Sequence, residues 1–129
     1  MHDRQVALWG REFKLIISYD HYDDGVIPND MAYARDKLFE SWDEVENALP
    51  ELKWYCLSCN AEDVEQLYGS KDIDNIFRIV IPDYLFVQES SQVRTVALML
   101  DYRFDPEEGL ALLFKDEKLA AICPQSEVF

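Results

Sequence analysis

Apolar and polar positions alternate early in the chain. In "QVALWGREFKLIISYD", Phe13, Leu15, Ile17 and Tyr19 alternate with Lys14, Ile16 and Ser18, the period of two that a half-buried strand requires. The stretch predicts a hairpin turning near Gly10. "DHYDDGVIPND" follows as a loop, punctuated by Gly25 and Pro28. The period then lengthens. Met31, Ala34 and Leu38 space a short helix that begins at Asn29. "SWDE" has the form of a capping box, with Ser41 as N-cap and Glu44 at the third helical position. From there Trp42, Val45, Leu49, Leu52, Tyr55 and Cys59 step by three or four, and Asp43, Glu44, Glu46 and Glu51 lie mainly off that stripe. Pro50 lacks an amide donor and predicts a kink or a split in this helix. "AEDVEQLYG" reads as a third helical segment ending at Gly69. "DIDNIFRIV" reads as a fourth, with Ile73, Ile76, Phe77 and Val80 on one face before Pro82.

Strand periodicity returns in "YLFVQ", "QVRTVALMLDY", "GLALLF" and "KLAAIC", separated by turn-like segments. These predict an antiparallel meander. Val96, Leu98, Leu100 and Tyr102 point one way, and Ala97, Met99 and Asp101 the other. With both faces largely apolar, this strand is expected at the centre of the sheet, its second face covered by a further element or by a partner. The predicted fold class is α+β: a single antiparallel sheet, built from the N-terminal hairpin and the C-terminal meander, with an inserted block of helices. Residues 1–129 are read as a single domain, since a chain of this length buries one core.

Charge sharpens the picture. Twelve basic residues face 26 acidic ones, a formal net charge of −14. Such a field repels nucleic acid and anionic membranes and favours encounter with a basic protein, or serves solubility alone. No N-terminal stretch joins a basic region to an apolar one, and no apolar run reaches membrane-spanning length. A soluble, cytoplasmic chain is expected. Three cysteines, Cys56, Cys59 and Cys123, are too few for a disulfide framework and suit a reducing compartment.

Candidate chemistry is sparse. Cys56-Leu57-Ser58-Cys59 has CxxC spacing, but a redox pair needs a thiol at a helix N-terminus, and these come late in a helix beside Leu52 and Tyr55. A zinc site would need two further ligands from Cys123 and two histidines. Packing is the better reading. No G-x-S-x-G elbow, glycine-rich phosphate loop or H-E-x-x-H occurs. His21, flanked by Asp20, Asp23 and Asp24, reads as a solvated loop histidine and not a base. The remaining signal is carboxylate clusters, at 20–24, along Glu40 to Glu51, at 62–65, and in "DPEEG" at 105–109. None has the spaced ligand set of a calcium loop. In "DPEEG", Pro106 presets one backbone angle, Asp105 can accept a turn hydrogen bond, and Gly109 supplies a positive φ. No cofactor or metal is indicated.

The segment from "FRIVIPDYLF" to "ICPQSEVF", with "LWGREFKLIISYD" and "AYARDKLFESWDEVENAL" in order and spacing, resembles a bacterial domain family of unknown function. Its members carry a D-x-E-H-G-L hairpin, matched here by Asp105-Pro106-Glu107-Glu108-Gly109-Leu110, with Glu108 standing where the family has His. Members are regarded as candidate immunity proteins against secreted toxins. The resemblance implies a non-catalytic protein that binds and neutralises a cognate toxin domain, with a nuclease favoured by charge. The contact surface expected from the acidic loops comprises Asp20, Tyr22, Asp23 and Asp24 together with Asp105, Glu107 and Glu108. An acidic adaptor or regulatory module is the alternative. A metal-dependent hydrolase using Asp20, Asp23, Asp101 and Glu107 is a third reading, and it predicts stabilisation by divalent cations.

Overall fold

The structure, a computed structural model, describes residues 3–20, 26–89 and 92–129. Strands β1 (Asp3–Leu8) and β2 (Arg11–Tyr19) form the expected hairpin, turning through Trp9 and Gly10, both at positive φ. Four helices follow: α1 (Asn29–Glu40), α2 (Trp42–Glu46), α3 (Leu49–Cys59) and α4 (Ala61–Tyr68). A short 3-10 turn at Ile76–Arg78 leads into β3 (Val80–Val87). Strands β4 (Thr95–Tyr102), β5 (Leu110–Lys115) and β6 (Lys118–Cys123) complete the sheet, and a second 3-10 turn, Gln125–Glu127, lies in the tail.

All six strands belong to one sheet in chain order, from β1 to β6. The α+β class is observed, with one correction: the sheet is mixed. Strand β2 pairs with β3 in parallel, Ile16 opposite Tyr84 and Tyr19 opposite Val87, while every other pair is antiparallel. The reason is topological. The helical block carries the chain from one end of the sheet back to the other, so β3 starts level with the start of β2, as a crossover requires.

Local expectations meet the structure unevenly. The fourth helical stretch shortens to the turn at Ile76–Arg78, and Pro82 lies inside β3 beside the register shift between Pro82 and Tyr84. A proline is tolerated there because a bulge leaves its missing donor without a ladder partner. Ser41 makes no side-chain cap. Its amide bonds to Leu38 and Lys37, so it ends α1, and the Glu44 carboxylate turns instead to Lys118. Pro50 splits the helix as expected, sitting in the first turn of α3 where no amide is required.

Helix α2 touches both edges of the sheet. Trp42 Nε1 donates to the carbonyl of Ala7 in β1 at 2.8 Å, and Lys118 Nζ of β6 donates to Glu44 Oε1 at 2.7 Å. A flat six-stranded sheet would hold its edges roughly 24 Å apart. The sheet therefore coils toward the helices until its two margins approach α2. Inside that trough, Leu8, Leu15, Leu85, Leu98, Leu112 and Phe114 pack against Met31, Leu38, Val45, Leu52 and Val64 in the main core.

Strand β4 is central, and its second face is buried as well: Ala97 and Met99 are fully inaccessible. The cover is internal. The tail lays Val128 over Phe86, Ala97, Met99 and Ala111 in a second, smaller cluster. Gln88 Nε2 holds the Val128 carbonyl at 2.7 Å, and the Phe129 ring meets Phe86 at 4.9 Å between centroids.

Candidate functional site

The "DPEEG" turn joins β4 to β5. The Glu108 amide donates to Asp105 Oδ1 at 3.3 Å, and the Gly109 amide to the Asp105 carbonyl at 2.9 Å. These bonds fix the turn as an aspartate-initiated turn should. Asp105, Glu107 and Glu108 are exposed, whereas Gly109 is buried at φ +63°. A Cβ on Gly109 would lie 2.5 Å from Gln125 Nε2 and 2.8 Å from the Leu100 carbonyl oxygen. Ser126 Oγ donates to Glu108 Oε1 at 2.5 Å. The turn is thus a clasp for the tail. The turn bond to Asp105 and the positive φ of Gly109 were expected from the sequence, but nothing in the local pattern announced the contact with Gln125 and Ser126.

Of the residues expected to form one contact surface, Asp20 and the 105–108 turn lie far apart. Asp20 follows Tyr19, and its amide donates to the Val87 carbonyl, at the end of the sheet where β4 begins. The 105–108 turn lies at the other end, beyond Tyr102. From Val87 to Ile81, the partner of Asp101, six residues at about 3.3 Å each span roughly 20 Å. Tyr22, Asp23 and Asp24 lie outside the described residues. The same spacing separates Asp20 from Asp101, so these two cannot share one metal ion, whose ligands sit within about 2.6 Å of it. Among the described residues, no group of three or more His, Cys, Asp and Glu could hold a metal.

The CxxC cysteines also part company. Cys56 is buried and Cys59 exposed, so the buried line of α3 runs from Leu52 to Cys56 and leaves Cys59 in solvent, a correction to the expected stripe. Burial pushes the Cys56 thiol up to about 11 and the Tyr55 phenol up to about 12, away from thiolate chemistry. Tyr102, also raised mainly by burial, donates to Asn60 Oδ1 at 2.7 Å and ties β4 to the start of α4.

The outer face of the helices carries the strongest pattern. Asp30, Asp36, Glu40, Asp43, Glu51, Glu62, Asp63 and Glu65 are exposed, and no lysine or arginine of the four helices reaches that exposure. Two large aromatic side chains are exposed on the same helices: Tyr33 at 55%, with Lys37 and Arg94 over its ring, and Trp54 at 72%. The other two tryptophans are tied down, Trp42 to Ala7 and Trp9 to the Glu46 carbonyl. Trp54 was legible in principle. It falls off the apolar stripe between Lys53 and Tyr55, and a tryptophan off the stripe is a candidate contact residue.

No helix among the described residues is long and apolar enough to cross a membrane. Neither a curated protein nor a solved structure matches the chain. The model of the family described as Domain of unknown function (DUF6985) matches residues 2–129, and the chain belongs to that family.

Proposed function

We propose that this chain is a protein-binding module that captures a basic domain on its helical face, and that the captured domain is a toxin whose activity the complex blocks. One observation carries the reading: every exposed charged residue on the four helices is an acid, and Trp54 on α3 and Tyr33 on α1 are exposed large aromatic side chains of the same helices. Exposed carboxylates of one sign speed encounter with an oppositely charged surface, while large exposed aromatic side chains supply the desolvated contacts that hold it. A basic groove built to hold nucleic acid presents the complementary surface, which favours a nuclease as the toxin class. The helical face serves this role without requiring a partner to span both ends of the strands, as contact with Asp20 and the 105–108 turn together would.

Co-expression with the product of the adjacent open reading frame tests the reading. The expected result is a stable complex, protection of the host cell from that product, and loss of both on Trp54→Ala combined with Glu51→Lys. A complex without protection favours the adaptor reading. A complex insensitive to both substitutions moves the contact off the helices.

A further inference from the structure

At the end of the sheet where β3 begins and β4 finishes, three arginines gather in a chain that carries more than two acids for each base. The Arg11 guanidinium lies 4.6 Å from the Phe77 ring centroid and that of Arg78 lies 4.8 Å from the Tyr68 ring. Arg103 is fixed beside them, its amide donating to the Ile79 carbonyl at 2.8 Å. Among the described residues, none of the three has a carboxylate within ion-pair distance, although Arg35 has Asp36 and Arg94 has both Asp116 and Glu117. A guanidinium stacked on a ring keeps its donor edge open for a planar acceptor such as a carboxylate.

Beside Arg78 and Arg103 runs a groove of about 300 Å³, lined also by Phe77, Ile79, Ile81, Tyr102 and Pro106, with Arg11 against the Phe77 ring. Ile81 is 40% exposed. The floor is held in place. Asn75 Oδ1 accepts from the Phe77 amide at 3.1 Å, Tyr68 donates to the Asn75 carbonyl, and Phe77 packs against Phe13 and Trp9. Asp101 also lines the groove, and its charge adds to the burial that raises the Asp83 carboxyl.

We propose that this groove docks a short acidic segment of a partner protein, with an apolar side chain on the Phe77–Ile81 floor and its carboxylates on Arg78 and Arg103. Charge complementarity selects this occupant. Open guanidinium forks beside an apolar floor match a carboxylate-flanked apolar residue; Asp101 and the overall charge of −14 oppose any anion, and the continuous phosphate backbone of a nucleic acid far more than a short segment with two carboxylates. The site is independent of the acidic helical face and opposite to it in preference.

Binding is read by nuclear magnetic resonance on the full chain, following arginine side-chain and Phe77 amide signals. The probes are a peptide with Phe-Leu flanked by glutamates, the same peptide flanked by lysines, inorganic phosphate, and a short single-stranded oligonucleotide. The acidic peptide should shift Phe77, Arg78 and Arg103, and the lysine peptide should not. Arg78→Ala should weaken the acidic peptide by about tenfold, as should Arg103→Ala, and Asp101→Asn should strengthen it. All three sites are exposed, and an unchanged circular dichroism spectrum confirms that the variants fold. The proposal is overturned by shifts elsewhere, by insensitivity to the arginine variants, or by phosphate or the oligonucleotide giving the same shifts at lower concentration. Concentration-dependent shifts without peptide would assign the groove to a second copy of the chain and overturn it equally.

Discussion

The side-chain amide of Gln125 donates to the carbonyl oxygen of Leu100 at 3.0 Å, passing directly over Gly109. That bond joins the tail to the β4–β5 connection, and it exists only because residue 109 has no side chain. Gly109→Ala forces a Cβ against backbone as well as side chain at a positive φ, so relaxation of Gln125 alone is not enough. The expected cost is about 2–4 kcal/mol from left-handed strain and overpacking together, read from the urea midpoint. Gln125→Ala in the Gly109→Ala background should recover only part of it, because the Leu100 oxygen remains.

The β5–β6 hairpin turns through Asp116 and Glu117 at φ +48° and +67°, a conformation that suits glycine and asparagine better than glutamate. Arg94 compensates. Its Nε and Nη2 donate to the two Glu117 carboxylate oxygens at 2.7 and 2.9 Å, and its amide donates to Asp116 Oδ1. Glu117→Gly should therefore destabilise the native chain by losing the fork, yet stabilise the Arg94→Ala variant by relieving strain that nothing then offsets. A double-mutant cycle in urea that shows the same sign in both backgrounds would refute the compensation.

Trp54→Ala separates stability from binding. The side chain is 72% exposed, so the urea midpoint should move by less than about 0.5 kcal/mol. Affinity for the basic partner should fall by about 2 kcal/mol or more, as for an aromatic anchor. A matched loss of both would mean that Trp54 serves the fold.

Periodicity made most elements readable, because each strand and helix has one buried face: Leu15 and Ile17 in β2, Met31, Ala34 and Leu38 in α1, and the double-sided burial of β4. What it could not carry was the direction of β3 relative to β2, since a crossover leaves no mark within a strand. Pro82 misled for a related reason. It marks a helix stop in a local reading, whereas the bulge that accommodates it depends on how β4 pairs. The cover over Met99 was hidden too, because Val128 reaches it from a tail without any period. At the binding surfaces, the acidic clusters were visible as charge, but their distribution between opposite ends of the sheet is a consequence of pairing. Trp54 stood off the apolar stripe in the sequence, but the convergence of Arg78 and Arg103 on one groove came only with the fold.

Alkaline lability follows from the buried acids around β4. Burial raises the Cys56 thiol from 9.0 to about 11 and the Tyr55 phenol from 10.0 to about 12, and it moves Tyr102 in the same direction. The charged form of each group is the deprotonated one, and the unfolded chain loses these protons first. Between the unfolded and folded values the folded state therefore binds more protons, and stability falls as pH rises. Stability should be fully present below about pH 9 and should decline from there, steepening above about pH 10 as the tyrosines join. Tyr102→Phe should flatten the upper part of that decline while lowering stability near neutral pH by about 1 kcal/mol, because Asn60 Oδ1 loses its donor. Cys56→Ala should remove part of the early decline, leaving the share of Cys123, whose thiol burial also raises. Urea midpoints measured across this range in the three proteins distinguish the contributions. A native chain whose midpoint holds constant to about pH 11 would show that these groups ionise in the folded state without penalty, which their burial against Leu52 and the coiled sheet does not allow.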